Sequence, residues 1–323
     1  MNIEMIRTAA DRLAGHARHT PLLSSPFLDE IAGRRVLIKP ECLQHTGSFK
    51  FRGGWSALSA LDPETRRRGV IAYSSGNHAQ GVAQAARLLG APAVIVMPAD
   101  APALKIANTR ALGADVVLYD RATESREAIG DGIAADRGLT LIRPYDEAQV
   151  IAGQGTCGLE IAADAKACGI DEADVLVCCG GGGLTSGIAL ACEADHPGLT
   201  VRPVEPEGFD DVKRSLEQGT IQTNDRRDGS ICDAIVTPAP GELTFPIMAR
   251  LCGPGLTVSE GDCLRAMTLA FQRLKLVAEP GGAAALASAL FRGDHLSGDT
   301  VIAVVTGGNV DSAMFTKALE TLS

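Results

Sequence analysis

Residues 70–89 read VIAYSSGNHAQGVAQAARLL and contain a strand pattern, a small polar turn and a helical pattern in direct succession. The run Val70–Tyr73 is short and apolar, as is typical of a buried strand. After Asn77, small apolar side chains recur at i, i+3, i+4 and i+7, which places them on one face of a helix. A strand that leads through a turn into a helix is the repeating unit of α/β proteins.

The same unit recurs along the chain. Short apolar runs alternate with alanine- and leucine-rich stretches: Val70–Tyr73, Ala93–Met97, Val116–Tyr119, Val175–Cys179, Val201–Val204 and Val301–Val305. This alternation predicts an α/β fold with parallel sheet and helices on both sides. Residues 70–143 form a β-α-β-α-β-α-β series, which predicts a small inserted domain. We place it at residues 68–146, and the large domain at residues 1–67 and 147–323.

The composition is that of an ordinary globular enzyme, with 323 residues, 46% hydrophobic and 21% charged. A formal net charge of -9 argues against nucleic acid or an anionic membrane as the main partner. No apolar run approaches the ~18 residues of a membrane span. Charged residues in the first twelve positions argue against a signal region. Nine cysteines without a Cys-x-x-Cys pair favour a reducing compartment, so we expect a cytoplasmic protein.

One lysine, Lys50, stands among small and aromatic neighbours in the segment Thr46-Gly47-Ser48-Phe49-Lys50-Phe51-Arg52-Gly53. Such surroundings can lower the pKa of the amine, as a Schiff-base nucleophile requires. Most lysines are solvated surface charges, so this segment does not decide the function alone.

The turn Ser74–His78 follows a predicted strand and opens a predicted helix. A helix start presents unpaired backbone N–H groups and the positive end of the helix dipole, so it can bind a carboxylate or a phosphate. The side chain of Asn77 can also donate to a ligand oxygen. An ordinary N-cap explains the same residues equally well.

Four consecutive glycines follow the strand pattern Val175–Cys179: Gly180, Gly181, Gly182 and Gly183. They cost considerable backbone entropy, and a simple turn does not need so many. They allow backbone amides to approach an anion such as a phosphate closely. No Gly-Lys-Ser/Thr sequence follows them, which excludes a Walker loop.

Two further glycine segments lead to different predictions. Gly153–Gly158 matches Gly-x-Gly-x-x-Gly, but the polar, loop-like stretch Arg143–Gln149 precedes it in place of a strand. We therefore reject a dinucleotide site there and predict a helix start with close packing. Thr306–Asn309 follows the strand pattern Val301–Val305, which puts a hydroxyl at the edge of the sheet where α/β proteins bind ligands. Taken alone, this segment is explained by a turn that ends the strand.

Together, a reactive lysine, a phosphate-binding loop, an anion-binding helix start and a strand-end hydroxyl suit pyridoxal phosphate. Four segments resemble, in the same order, the motifs of fold-type-II pyridoxal-phosphate enzymes of the serine/threonine dehydratase and serine racemase group: Ser48–Lys50, Ser75–His78, Gly180–Gly183 and Thr306–Asn309. The resemblance implies a tryptophan-synthase-β-like fold with two open twisted parallel-sheet domains. No long extension follows Asn309, as in catabolic dehydratases and serine racemases.

The resemblance assigns cofactor contacts to all four segments: Phe49, Lys50, Asn77, Gly180, Gly181, Gly182, Gly183, Leu184 and Thr306. Lys50 becomes the Schiff-base lysine, and Asn77 the hydrogen-bond partner of the phenolic oxygen of the cofactor. Gly180–Gly183 with Leu184 hold its phosphate, and Thr306 faces its ring nitrogen. A neutral hydroxyl there does not enforce protonation of the ring, which favours prompt loss of a β-leaving group.

Substrate contacts are implied in the same way. The helix start formed by Ser75, Gly76, Asn77 and His78 would hold the α-carboxylate. Lys50 would take the Cα proton, while Ser75 could act on the opposite face and so allow racemisation. Arg126 matches an arginine near the substrate pocket of racemase relatives, although an exposed helical charge flanked by acids is the usual alternative. A cation there would pair with a second carboxylate and favour 3-hydroxyaspartate.

A divalent-cation site is also implied by the resemblance, at Glu205, Phe209 and Asp211. Two carboxylates and a backbone carbonyl suit Mg²⁺ or Ca²⁺, with Mn²⁺ as a further candidate. The alternative is an acidic loop that caps a helix. A homodimer is expected as well, since isologous pairing is the commonest arrangement.

Three other functions stay open beside β-elimination: an amino-acid racemase, a β-replacement enzyme and a non-catalytic binding protein for a small molecule. The Ser75–His78 loop, which is not of the Thr-Ser-Gly-Asn type, argues against β-replacement. An intact Lys50 argues against a binding protein. The segments Ser230–Ala234 and Pro240–Thr244 depart from the Asp-Gly-Val pattern of threonine dehydratases, which favours a hydroxyaspartate-type substrate.

Overall fold

The computed structural model describes residues 1–74, 76–101, 103–120, 122–226 and 228–322. Ten strands are described: β1 Leu23–Ser24, β2 Arg35–Pro40, β3 Val70–Tyr73, β4 Ala93–Pro98, β5 Asp115–Tyr119, β6 Thr140–Leu141, β7 Ala173–Cys178, β8 Leu199–Pro206, β9 Leu256–Val258 and β10 Thr300–Val305. All six strands predicted from sequence are among them, with bounds shifted by two residues or fewer.

Fourteen α-helices are described in the same residues: α1 Ile3–Leu13, α2 Pro26–Ala32, α3 Lys50–Ala60, α4 Pro63–Arg68, α5 Asn77–Leu89, α6 Ala103–Ala111, α7 Arg126–Arg137, α8 Ala148–Ala167, α9 Gly183–Asp195, α10 Asp211–Gln218, α11 Thr244–Leu251, α12 Glu260–Leu274, α13 Pro280–Phe291 and α14 Ser312–Leu319. None of these helices is long and apolar enough to cross a membrane.

The strands form two sheets. The larger has the order β1-β2-β10-β7-β8-β9, in which only the short β1 pairs antiparallel, and the smaller has the order β5-β4-β3-β6, all parallel. Alternate side chains of β10 pack in two different hydrophobic cores. Val301, Ala303 and Val305 pack with residues of α12 and α13, whereas Ile302 and Val304 pack with residues of α8 and α9. The predicted α/β fold with helices on both faces is confirmed.

The order of elements between residues 70 and 141 is β3-α5-β4-α6-β5-α7-β6, as the sequence predicted. All four strands of the smaller sheet come from this stretch. The exact boundaries of an inserted domain stay a prediction.

The Gly153–Gly158 segment lies inside α8, which begins five residues earlier, at Ala148. The prediction of close packing is correct, but the prediction that the helix starts at these glycines is wrong. A Cβ at Gly155 would lie 2.9 Å from the Gly187 carbonyl oxygen of α9, and one at Gly158 would lie 2.7 Å from Ile188 Cα. The helix backbones approach closely because neither glycine has a side chain.

The sequence motifs sit where strands of both sheets end. The carboxyl end of β3 leads to α5, that of β7 to the glycine loop before α9, and that of β10 to Thr306. An isolated bridge between Ser48 and Gly307 brings the start of α3 to the end of β10. The fold thus gathers four segments that lie far apart in sequence.

Candidate active site

A cleft of about 690 Å³ lies between the two sheets. Its lining includes the described residues that the sequence predicted for cofactor and substrate: Phe49, Lys50, Gly76, Asn77, His78, Arg126, Gly180, Gly181, Gly182, Gly183, Leu184 and Thr306. Ser75, the remaining predicted residue, lies outside the described residues. The three predicted metal ligands do not line this cleft.

Lys50 is the first residue of α3, and the backbone before it is tied to the end of β10. The Phe49 N–H donates to the Thr306 carbonyl oxygen (3.2 Å). Lys50 Nζ donates to the Pro144 carbonyl oxygen (2.7 Å) and lies 5.0 Å from the centroid of the Phe49 ring. Burial lowers the pKa of the Lys50 amine to about 8. The lysine therefore has the reduced basicity that a nucleophilic amine needs at neutral pH.

Among the described residues, the start of α5 has no side-chain cap. Its N-cap residue is Gly76, whose own N–H donates to Ser74 Oγ (3.2 Å). The first-turn N–H groups of a helix have no acceptors within the helix, so here they are available to a ligand. The His78 side chain is not available to such a ligand, because its ring is buried and its Nε2 lies 2.9 Å from the Ile142 carbonyl oxygen. Burial and the nearby charge of Lys50 lower the pKa of His78 to about 3. His78 thus contributes its backbone to the cleft and keeps a neutral ring.

The glycine loop forms a tight cradle at the start of α9. Gly182 is the N-cap and adopts a left-handed conformation with φ of 89°. A Cβ at Gly181 would overlap the Tyr145 ring, and one at Gly183 would lie 2.7 Å from Gln154 Oε1. The absence of side chains leaves the first N–H groups of α9 accessible to an anion, which fits a phosphate.

Thr306 closes the cleft from the end of β10. Its side chain is buried, and its hydroxyl contacts the thiol of Cys178. Its N–H donates to the Gly282 carbonyl oxygen (3.1 Å). The hydroxyl is therefore held on a rigid strand end, where it can serve as a neutral partner for a ring nitrogen.

Arg126 is the first residue of α7 and lies on the rim of the cleft. Its guanidinium carbon is 5.8 Å from the centroid of the Tyr73 ring, and its Nε pairs with Glu127 Oε1 (2.7 Å). The side chain keeps 47% of its surface exposed. A cation at the start of a helix opposes the helix dipole, so the position does not serve the stability of α7.

The predicted metal ligands form a separate buried group. Glu205 accepts from the N–H groups of Val212 (2.9 Å) and Lys213 (2.7 Å). Asp211 Oδ2 is buried and has no hydrogen-bond partner among the described residues. Burial and the charge of Asp211 raise the pKa of Glu205 well above its usual range, and burial raises the pKa of Asp211 to about 7. Two buried carboxylates with an unpaired oxygen fit a cation.

Within the described part of the chain, no group of three His, Cys, Asp or Glu side chains is arranged to hold a metal ion. A cation bound by Glu205 and Asp211 would therefore depend on backbone carbonyl and water ligands as well. Phe209, whose carbonyl is the third predicted ligand, lies between Glu205 and Asp211 in sequence, and its side chain is buried.

The groups of the cleft that sequence reasoning missed include Lys105, Pro144, Tyr145 and Glu279. Pro144 and Tyr145 lie in the polar, loop-like stretch Arg143–Gln149, which carries no periodic pattern. Glu279 precedes Pro280, and a proline at the first position of a helix followed by glycines is a signal that could have drawn attention to it.

The chain matches the family of pyridoxal-phosphate dependent enzymes over residues 13–307. It is 46% identical over 312 residues to an L-threo-3-hydroxyaspartate ammonia-lyase of a Pseudomonas species, covering 97% of this chain and 96% of that protein. It is 38% identical to a serine racemase of Schizosaccharomyces pombe, covering 95% and 93%. A solved threonine deaminase from T.th. matches with a TM-score of 0.90 and 44% identity, covering 96% and 99%. Sequence and fold agree, and the chain belongs to the pyridoxal-phosphate dependent enzymes of fold type II.

Proposed function

We propose that this protein is an ammonia-lyase that eliminates the β-hydroxyl of a β-hydroxy amino acid, with 3-hydroxyaspartate as its substrate. The observation that carries the proposal is the cleft in which the Lys50 amine, with a pKa of about 8, meets two helix starts. The similarity to a 3-hydroxyaspartate ammonia-lyase at 46% identity supports it. Pyridoxal phosphate, when bound, supplies the electron sink that makes the substrate Cα proton acidic.

The cofactor would be held by the groups that the cleft brings together. Lys50 would bind it covalently through the amine, with Phe49 packed beside that amine. The start of α9 at Gly180–Leu184 would bind its phosphate, Asn77 its phenolic oxygen and Thr306 its ring nitrogen. Each assignment rests on the lining of the cleft and on the donors that these residues offer.

In the reaction, the backbone amides at Gly76, Asn77 and His78 would hold the substrate α-carboxylate. Lys50, once its amine is free, would take the Cα proton, and a neutral amine with a pKa near 8 suits this task. The β-carbon–oxygen bond would then break, so that the Cα proton and the β-hydroxyl leave together as water. Addition of one water to the resulting imine would give a 2-oxo acid and ammonia. Ser75 is proposed to act from the opposite face, which would make racemisation a side reaction.

Arg126 supports the choice of a dicarboxylic substrate. Its guanidinium lines the cleft at the rim, where it can pair with a second carboxylate. We expect Arg126→Gln to lower activity on 3-hydroxyaspartate by about 10- to 100-fold, because a charge-assisted hydrogen bond is lost. Activity on serine should change far less. Arg137→Gln, at the other end of α7 and about equally exposed, is the matched control.

Ammonia release from serine, threonine and each stereoisomer of 3-hydroxyaspartate, with chiral analysis of recovered substrate, tests the proposal. We expect the highest turnover with a 3-hydroxyaspartate isomer. Inverted substrate without ammonia would favour the racemase, which the similarity to a serine racemase makes the second candidate. A protein that gains no visible absorbance with pyridoxal phosphate, and no borohydride-trapped adduct at Lys50, would overturn the whole assignment.

We propose in addition that Glu205 and Asp211 bind Mg²⁺, or Ca²⁺ or Mn²⁺, together with the Phe209 carbonyl. The buried, unpaired Asp211 Oδ2 supports this. Added Mg²⁺ should raise the thermal midpoint of the protein, and EDTA should reverse the change. Asp211→Asn should abolish the response, while Glu207→Gln, on the exposed part of the same loop, should keep it. Equal thermal midpoints with EDTA and with Mg²⁺ would contradict a metal site at these residues.

A homodimer is proposed as well. Large apolar side chains are exposed on α2 and near the end of α12, namely Phe27 (53%), Ile31 (42%) and Phe271 (38%). The expected mass by light scattering is twice 33.5 kDa. Ile31→Glu should yield the monomer, while Leu118→Glu, an equally exposed apolar position on the smaller sheet, should not. A wild-type monomer would contradict this proposal.

A cytoplasmic location is the last proposal. All nine cysteines are free, and seven of them are buried. Free thiols in this number suit a reducing compartment. Cell fractionation with an antibody checks it, and recovery from an oxidising compartment would contradict it.

A further inference from the structure

We infer that Glu279 is a positioning residue, which holds the side-chain amide of Asn77 in one orientation for the cofactor. The inference rests on the proposed function, because it concerns how Asn77 meets pyridoxal phosphate. Glu279 lies 202 residues from Asn77 in sequence, directly before α13. It has no role in the chemistry described so far.

The hydrogen bonds around Asn77 form a chain with a fixed direction. The Thr46 carbonyl oxygen can only accept, so it sets the amide of Asn309, whose Nδ2 donates to it (2.8 Å). Asn309 Nδ2 also donates to Asn77 Oδ1 (2.7 Å), and Asn77 Nδ2 donates to Glu279 Oε1 (2.5 Å). A flipped Asn77 would place its NH₂ against that of Asn309 and its oxygen against the carboxylate. The chain therefore excludes the flip.

This arrangement leaves one defined group for the cofactor. An asparagine amide offers two N–H donors and one acceptor oxygen. The oxygen is used by Asn309 and one N–H by Glu279, so one N–H of Asn77 remains. A single, oriented donor in the cleft suits a phenolic oxygen, and preorganised donors cost no rearrangement when the ligand binds.

Glu279 is itself held rigidly. It is the N-cap of α13, it is 3% exposed, and its N–H donates to the Gly307 carbonyl oxygen (3.0 Å). A Cβ at Gly307 would overlap Glu279 Oε1, so this glycine gives the carboxylate its room. Burying a carboxylate is costly, and an apolar residue would stabilise the fold as well or better. A role in positioning Asn77 explains why a carboxylate is buried at Glu279 in spite of this cost.

The charge of Glu279 changes near neutral pH. Burial raises the pKa of this carboxyl to about 7, while the hydrogen bond from Asn77 and the charge of Lys105 oppose the rise. The charged or titratable groups that face it are Lys105 of α6, Asp233 and the Cys42 thiol. An ionised carboxylate accepts more strongly and polarises the Asn77 N–H. The bound cofactor should therefore respond to the protonation of Glu279.

The test measures the affinity of the apoprotein for pyridoxal phosphate in a double-mutant cycle of Asn77→Ala and Glu279→Met. If Glu279 acts through Asn77, Glu279→Met should weaken binding about three- to tenfold in the wild-type background. It should have no further effect when Asn77 is already alanine. Equal losses in both backgrounds would overturn the inference.

A second variant guards against simple misfolding. Glu279→Gln keeps an acceptor but cannot ionise, so it should bind the cofactor nearly as well as wild type and lose the change of its visible spectrum around pH 7. A Glu279→Gln spectrum that follows the wild-type pH curve would contradict the inference. Asp174→Asn removes another buried carboxylate, paired with Arg202 at the far end of β7, and should lower stability without altering affinity or spectrum.

The two proposals fail in different ways. If wild type gives no borohydride-trapped adduct at Lys50, the proposed function fails and the inference fails with it. If wild type forms that adduct and the cycle is additive, only the role of Glu279 is lost.

Discussion

Lys50 illustrates how a single residue acquires its chemistry from its surroundings. Its amine lies in the cleft with a carbonyl oxygen, that of Pro144, as its hydrogen-bond partner. Burial disfavours the charged form of the amine, so its pKa falls to about 8. The sequence predicted the direction of this shift from small and aromatic neighbours. It could not supply the partner, because Pro144 lies 94 residues away.

The lowered pKa predicts how fast the apoprotein takes up its cofactor. Only the neutral amine attacks an aldehyde, so the rate of covalent attachment should rise about tenfold per pH unit below 8. It should level off above about pH 9. Stopped-flow absorbance of the apoprotein mixed with pyridoxal phosphate measures this rate. A rate that keeps rising to pH 10.5, the ordinary value for lysine, would show that burial does not act on Lys50.

The lowered pKa of His78 predicts that the folded protein loses stability in acid. Its pKa is lowered from 6.5 to about 3, so between these values the unfolded chain binds a proton that the folded chain excludes. Stability is therefore fully present above pH 6.5 and is lost as the pH falls toward 3. His78→Gln should reduce this slope by up to ~1.4 kcal/mol per pH unit in urea unfolding. Parallel curves for the two proteins would count against a buried neutral ring.

At the scale of elements, glycines explain why α8 packs so closely on its neighbours. The Gly-x-Gly-x-x-Gly pattern in α8 resembles a nucleotide-binding motif only in its letters. In the structure these glycines face α3 and α9, where side chains would meet neighbouring backbone. The sequence excluded the dinucleotide site because no strand precedes the pattern. It missed the true helix start because the stretch Arg143–Gln149, interpreted as a polar loop, already contains the first two residues of α8.

The packing gives opposite predictions for two glycine-to-alanine changes in helices. At Gly158 a Cβ would lie 2.7 Å from Ile188 Cα and 2.8 Å from Ala191 Cβ. Overpacking costs about 1–3 kcal/mol and outweighs the ~1 kcal/mol gain in helix propensity, so Gly158→Ala should destabilise. A Cβ at Gly132 of α7 would have no atom of the described residues within 4 Å, so Gly132→Ala should stabilise by up to ~1 kcal/mol. Urea unfolding checks both, and equal effects would refute the packing argument.

At the scale of the whole molecule, the candidate active site lies between the two sheets. Strands and helices were predictable because each carries its own periodic pattern, and the ends of parallel strands were predictable as the place for ligands. The contacts between residues that meet in the cleft were not predictable from the sequence. The bond from Asn77 to Glu279 spans 202 residues, and no local pattern reports such a pairing. Strands β1 and β9 were missed because two or three residues show no period, and β2 was missed because Arg35 and Lys39 leave it an apolar run of only three residues.

Because the cleft takes residues from both sheets, a bound cofactor should stabilise both. The smaller sheet contributes the start of α5, and the larger contributes the glycine loop, Lys50 and Thr306. Binding to the folded state alone adds about 2.7 kcal/mol at a ligand concentration 100 times Kd. Hydrogen exchange should therefore slow in β3 and β4 as well as in β7 and β10 when pyridoxal phosphate is added. Lys50→Ala, which keeps the phosphate cradle but cannot attach the aldehyde, should show a smaller effect in the same strands. Protection confined to the larger sheet would mean that the smaller one takes no part in holding the cofactor.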